Sequence, residues 1–182
     1  MENIKISHEI RSINENKITM FIPTNTNSKV LYHPKHKVSF VEQIDHQGMM
    51  TALKENPKGL KVHLEHNKLI NIAKRVEYRE VENGIEFDVV LNEGCDELRK
   101  KVEANELQVS FGFKALEDTW NKAMNLYHRV VEKLELFEIS LVENPAYASS
   151  FAECRSLDEM LMEEQRVRIK AKYHLLKLKG DL

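Results

Sequence analysis

Three side chains in this sequence have types and settings suited to acyl transfer: the hydroxyl of Ser110 in LQVSFGF, the imidazole of His66 closing LKVHLEH, and the carboxylate of Glu138 in LELFEISLV. Hydrolysis through a covalent intermediate needs a nucleophile, a base that takes its proton, and a third group that fixes the base's tautomer and stabilises its charged form. Successive side chains of a strand point to opposite faces. Val109, Phe111 and Phe113 therefore share one side of LQVSFGF and leave Ser110 beside Gly112 on the other, where the small neighbour lets a substrate backbone come close. The same alternation sets His66 on the side of Val62 and Leu64, opposite Lys61, His63 and Glu65. Partial desolvation there favours the neutral imidazole that a base requires. Glu138 falls in phase with Leu134, Leu136 and Val142, and a carboxylate in apolar company needs a partner to offset its desolvation. A histidine serves as such a partner.

Each residue also has an ordinary reading. A lone serine within a strand is more often structural, and so is a histidine at a strand end. An acid among leucines often faces water on an edge strand, or pairs with an arginine such as Arg129. Ser140, two positions and roughly 7 Å beyond Glu138 along the same face, competes with Ser110 as nucleophile. Spacing alone leaves the trio a candidate.

The elements that must position these groups are legible in outline. From Lys17 to Val41 the runs ITMFIPT, KVLYH and KVSFVEQI read as short strands. HQGMMTALKEN after Asp45 reads as a helix stopped by Pro57 and Gly59. Residues 73–82 and IEFDVVL, separated by Asn83-Gly84, read as a hairpin with Ile85, Phe87, Val89 and Leu91 inward. CDELRKKVEANE, with Leu98 and Val102 at i and i+4, is an amphipathic helix. LQVSFGF is a strand ending near Phe113, a polar stretch surrounds Trp120, and LYHRVVEKLELFEISLV reads as two strands ending at Asn144-Pro145. Beyond it, the capping box of Ser156 with Glu159 opens a long C-terminal helix that meets no proline or glycine before Gly180. Its basic second half, RVRIKAKYHLLKLK, is read as a solvated face rather than a docking surface.

Composition narrows the classes. The 182 residues are 42% apolar and 31% charged, as expected for one folded domain with an appendage. A formal net charge of -2 argues against binding driven by phosphate neutralisation, so no nucleic-acid partner is expected. Cys95 and Cys154 form no CxxC pair, and the histidines and acids show no ligand spacing, so neither a metal nor another cofactor is expected. The opening MENIKISHEIRS is charged where a signal peptide is apolar, and no window is long enough to span a bilayer. The expectation is action inside the cell that makes the protein.

Four segments, in order, resemble the tailed-phage prohead (capsid maturation) serine proteases. FVEQIDHQGMMTALKEN resembles that family's opening block, an acidic E.I..GAF...L pattern, with Gly48 and Leu53 matching and Met49 and Met50 replacing a small and an aromatic residue. The family's apolar run ending in His-Asp resembles Leu64-Glu65-His66-Asn67, with asparagine for aspartate. Its S-I-G-F block resembles Ser110-Phe111-Gly112-Phe113, and its closing L.E.SLV..PA resembles Leu136 to Val142 followed by Pro145-Ala146. The resemblance covers roughly residues 10–150.

It implies a serine endopeptidase with Ser110 as nucleophile, His66 as base and Glu138 in the third place. In the distantly similar herpesvirus assembly proteases that third place is a second histidine, which keeps His63, His128 and Ser140 open as contributors. The implied fold is α+β: a small, mainly antiparallel β-barrel surrounded by helices. The implied division is a protease domain over 1–152 and a helical tail over 153–182 that attaches the enzyme or is removed by self-cleavage. The implied substrates are the major capsid protein, its scaffold segment and the protease itself, within the assembling prohead in the bacterial cytoplasm. A homo-oligomer is compatible with the herpesvirus relatives. The rival reading is a non-catalytic capsid-assembly or scaffolding protein that keeps the fold. A small barrel that binds peptides or nucleic acid has only the basic tail in its favour.

Overall fold

The computed structural model describes residues 9–14, 16–56, 59–143 and 155–179. The segment holding Pro145-Ala146 lies outside the described residues. Two sheets carry the fold. The first has the order β1 (Glu9–Asn14), β2 (Lys17–Pro23), β7 (Gly84–Leu91), β6 (Ala73–Val81), with antiparallel neighbours throughout. The second is mixed and built on β9 (Leu126–Val142). On one side β9 pairs antiparallel with β8 (Gln108–Ala123); on the other it pairs parallel with β4 (Val38–Ile44) and β5 (Val62–Leu64), and β3 (Leu31–His33) adds to β4. Among the described residues no hydrogen-bonded ladder joins the two sheets. The expected closed β-barrel is therefore corrected to an α+β fold of two packed sheets, with β1 and β6 at the edges of the first and β8 at an edge of the second among the described residues.

The sheets share one core. Ile18, Met20, Ile22, Ile85, Phe87 and Val89 of the first meet Val109, Phe111, Phe113, Ile139 and Leu141 of the second. The β6–β7 hairpin forms as its Asn83-Gly84 turn dictates, Asn83 taking the positive φ of 66° that asparagine tolerates. α2 (Asp96–Glu103) buries Leu98 and Val102 against this core. The β8–β9 hairpin departs from expectation. β8 does not end near Phe113 and β9 is one strand, because cross-strand pairing continues through the polar stretch as far as Ala123 opposite Leu126. Trp120 is part of β8, its ring 5.1 Å from that of Phe40.

At that end of the hairpin Arg129 is 1% exposed and donates to Glu42 and Asp118, each at 2.7 Å. Burial pushes the Glu42 carboxyl up from its ordinary value against the pull of the Arg129 guanidinium. Removing one partner of such a cluster costs about 3–5 kcal/mol, because a buried charge is left unpaired. The cluster ties β4, β8 and β9 together. Next to it, α3 (Arg155–Lys179) sets Met160 and Leu161 against Phe40 and Tyr127, and Glu164 accepts from Lys122 at 3.1 Å and from the Tyr127 hydroxyl at 3.3 Å. No helix among the described residues is long and apolar enough to cross a membrane.

α1 (His46–Lys54) starts at Asp45, whose carboxylate accepts from Gly48 N–H at 2.8 Å and whose own N–H donates to Val131 O at 2.9 Å. The helix thereby lies so close to β9 that a Cβ at position 48 would overlap the Glu132 carbonyl oxygen. Alanine normally gains about 1 kcal/mol over glycine in a helix, but overpacking against backbone costs about 1–3 kcal/mol. Gly48→Ala is expected to lower the unfolding free energy in a urea titration by about 1–2 kcal/mol, the difference of those terms at their upper end; a stabilised variant would contradict the close approach.

Candidate active site

The site begins with an irregularity in β9. Leu134 and Leu136 lie in the core, yet so do Ile139 and Leu141, so the buried parity changes from even to odd across Phe137. The ladder to β8 shifts at that point: Gly112 opposes Glu138, but Phe113 opposes Leu136. Phe137, the residue skipped, is 44% exposed. An extra residue in one strand turns everything after it to the other face. Glu138 thus does not share the face of Leu134 and Leu136, as simple alternation predicts. The bulge lifts Glu138 and Ser140 off the core side and turns them towards the far face of the sheet.

β8 supplies two residues to that face. Ser110 opposes Ser140 and Gly112 opposes Glu138. A Cβ on Gly112 would lie 3.0 Å from Glu138 Oε1, so glycine there leaves room for the carboxylate. Ser110 and Glu138 are diagonal neighbours, roughly 7–8 Å apart between backbones.

His66 reaches the same face by a turn rather than by alternation. β5 ends at Leu64, and Glu65 and His66 follow with φ of 52° and 54°. Two consecutive non-glycine residues in the left-handed region cost about 1–2 kcal/mol each. They are held there by hydrogen bonds: Glu65 N–H donates to Leu141 O at 2.9 Å, Asn67 N–H to Leu64 O at 2.9 Å, and Glu143 N–H to the Glu65 carboxylate at 2.7 Å. The turn corrects the expected grouping. Val62 stays in the core, fully buried, while His66 swings to the side of His63, which opposes Ser140 across the β5–β9 pairing.

His66 Nδ1–H donates to Glu138 Oε1 at 2.6 Å. The second carboxylate oxygen, Oε2, accepts from the Ser140 hydroxyl at 3.2 Å and lies 3.8 Å from His63 Nε2. His63 is itself held by its Nδ1–H, which donates to Ile70 O at 3.1 Å. Glu138 is 6% exposed, and the hydrogen bonds from His66 and Ser140 compensate the desolvation of its charge. With Nδ1 donating, the neutral His66 ring carries its free lone pair on Nε2. That atom is buried and has no hydrogen-bond partner, so the Ser110 hydroxyl does not donate to it in this structure.

His66 and Glu138 are thus in direct contact, and Ser110 is on their face without a bond to the imidazole. His128 lies ten residues from Glu138 along the same strand, roughly 30 Å away at strand rise, and Arg129 is committed to Glu42 and Asp118. Alternation misplaced His66, which the turn after β5 carries to the face of His63 and Glu138. The adjacent apolar pair Leu136-Phe137 and the turn-former Asn67 are the signals from which the bulge and the end of β5 could have been read. No group of three or more His, Cys, Asp or Glu suited to a metal ion occurs among the described residues.

A family model described as caudovirus prohead serine protease matches residues 9–163. No curated protein and no solved structure matches the chain.

The carboxylate contact fixes one imidazole tautomer. A long-range proton–nitrogen spectrum of the neutral ring is expected to show His66 as the Nδ1–H form, and Glu138→Gln, whose side chain can offer an N–H in place of an acceptor, is expected to lose that preference. A wild-type ring in the Nε2–H form would contradict the geometry.

Proposed function

The chain belongs to the caudovirus prohead serine protease family, and from that premise we propose that it is a serine endopeptidase of capsid maturation in which Ser110 is the nucleophile, His66 its base and Glu138 the group that orients the base. The observation that carries the assignment is the 2.6 Å contact between His66 Nδ1 and a buried Glu138 carboxylate, on a face to which the facing strand contributes Ser110. That contact leaves Nε2 as the acceptor, the atom that must take the hydroxyl proton. Ser140 is the weaker nucleophile. It is fully buried and its hydroxyl already donates to Glu138.

In this mechanism His66 Nε2 removes the Ser110 proton as Oγ attacks the scissile carbonyl, then returns it to the leaving amine. An acyl-enzyme results, and water, activated by the same nitrogen, releases it. Glu138 holds the ring and stabilises its charged form without itself taking the proton. The Ser110–His66 hydrogen bond forms with substrate in place, since catalytic hydrogen bonds are often long or misaligned in the free enzyme. Ser140 acts on the carboxylate rather than on the substrate.

The substrates in this reading are the major capsid protein and its scaffold segment inside the assembling prohead, together with the protease itself. Residues 153–182 serve as an attachment or self-processed tail. The packing of Met160 and Leu161 on Phe40 and Tyr127 supports a tail whose first turns rest against the body. A homo-oligomer would suit a particle-bound enzyme.

Co-expression with the capsid protein provides the test. Ser110→Ala is expected to abolish capsid-protein cleavage, with a loss of about 10⁶-fold in turnover, while circular dichroism and thermal unfolding stay at wild-type values. Ser140→Ala is expected to retain cleavage at a reduced rate. Processing that survives in Ser110→Ala would eliminate the assignment.

A further inference from the structure

β8 flanks β9 along its whole length, but on the other side β9 is flanked by two short strands that do not meet. β4 pairs with Tyr127–Val131 and β5 with Ile139–Leu141. Among the described residues no strand pairs with residues 132–138 on that edge. α1 closes the part of this gap next to β4, where Gly48 lies against the Glu132 carbonyl. The part next to β5 is a cavity of about 440 Å³, lined by Glu135, Phe137 and Leu116 together with Glu55 and Lys61.

Three properties of this cavity indicate its occupant. It adjoins the candidate active site, since His63 and Glu138 also line it. Two large apolar side chains border it while exposed to solvent, Leu116 at 49% and Phe137 at 44%, and Phe137 is turned outward by the same bulge that delivers Glu138. Its charged lining is mixed, Lys61 and Lys68 against Glu55, Glu135 and Glu138, so neither sign dominates enough to select a strongly charged ligand. An unpartnered strand edge presents backbone donors and acceptors to an added strand, while pockets beside it read alternate side chains. Three residues of that edge span roughly 10 Å, enough for a short extended segment.

We propose that this gap is a substrate-docking subsite: an extended stretch of the polypeptide substrate lies along residues 135–137 of β9, fills the interrupted row between β4 and β5, and sets an apolar side chain against Leu116 and Phe137. The proposal rests on the endopeptidase reading and adds to it a substrate class, an extended chain with a large apolar residue at a fixed distance from the cleaved bond. Backbone pairing beside Glu138 fixes the register of the substrate, and the apolar contact chooses which register. A small ester carries no polypeptide to dock and has no use for this subsite.

Hydrolysis of p-nitrophenyl butyrate and of a quenched fluorescent peptide library, varied one position at a time, separates the two ideas. The wild-type protein is expected to prefer large apolar residues at one position. Leu116→Asp is expected to lower kcat/KM for peptides about tenfold, mainly through KM, the effect of losing one buried apolar contact. It should also flatten the preference and leave ester hydrolysis unchanged; Leu116→Ile should behave as wild type on both substrates. Unaltered peptide kinetics and preference in Leu116→Asp, with ester hydrolysis intact, would overturn the docking proposal alone. A wild-type protein that hydrolyses neither ester nor peptide would overturn the docking proposal together with the reading beneath it.

Discussion

A carboxylate that is 6% exposed must be matched by donors, and the far face of the second sheet is organised around meeting that requirement at Glu138. One oxygen takes the His66 Nδ1–H and the other the Ser140 hydroxyl, with His63 nearby. Removing a donor from such a group costs about 1–3 kcal/mol or more, since the desolvated acceptor regains nothing in exchange. The contacts that satisfy Glu138 are therefore also contacts that hold the imidazole in one orientation and one tautomer. Stability and the proposed chemistry draw on the same bonds.

Backbone irregularities deliver the participants. A regular β9 would leave Glu138 in the core beside Leu136, and a regular continuation of β5 would carry His66 to the side of Val62. The bulge at Phe137 and the left-handed pair Glu65-His66 reverse both placements. Each costs free energy locally and persists because the surroundings hold it: a long hairpin ladder in one case, hydrogen bonds to Leu141 and Glu143 in the other. Parallel pairing of β5 with β9 then brings residues 72 positions apart into contact, with β8 closing the other side. The bulge has a second consequence, because it also turns Phe137 outward along the open stretch of edge where the docking subsite is proposed.

Much of this was legible beforehand, for definite reasons. The β6–β7 hairpin, α1 and α2 follow from local signals, namely the Asn83-Gly84 turn, the Asp45 cap and the Leu98/Val102 spacing, and these are the elements whose determinants lie within a few residues. The pairing of His66 with Glu138 was anticipated from the need of a buried acid for a partner, but the faces assigned to both were wrong, because alternation assumes a strand without bulges or early ends. The long β8–β9 hairpin is not legible in the sequence, because the residues around Trp120 are polar. Pairing with β9 and the buried Arg129–Glu42–Asp118 cluster carry the strands through that stretch. The closed barrel was expected from resemblance alone, and nothing in the strand patterning specified which edges would pair.

The central claim is that the hydroxyl opposite Ser140 is the one that the His66–Glu138 pair activates. Covalent labelling with a serine-directed fluorophosphonate, followed by peptide mapping in a mass spectrometer, reads this directly. The account predicts a single adduct on Ser110 that is lost in His66→Ala. An adduct on Ser140, or labelling of Ser110 that is indifferent to the loss of His66, would contradict it.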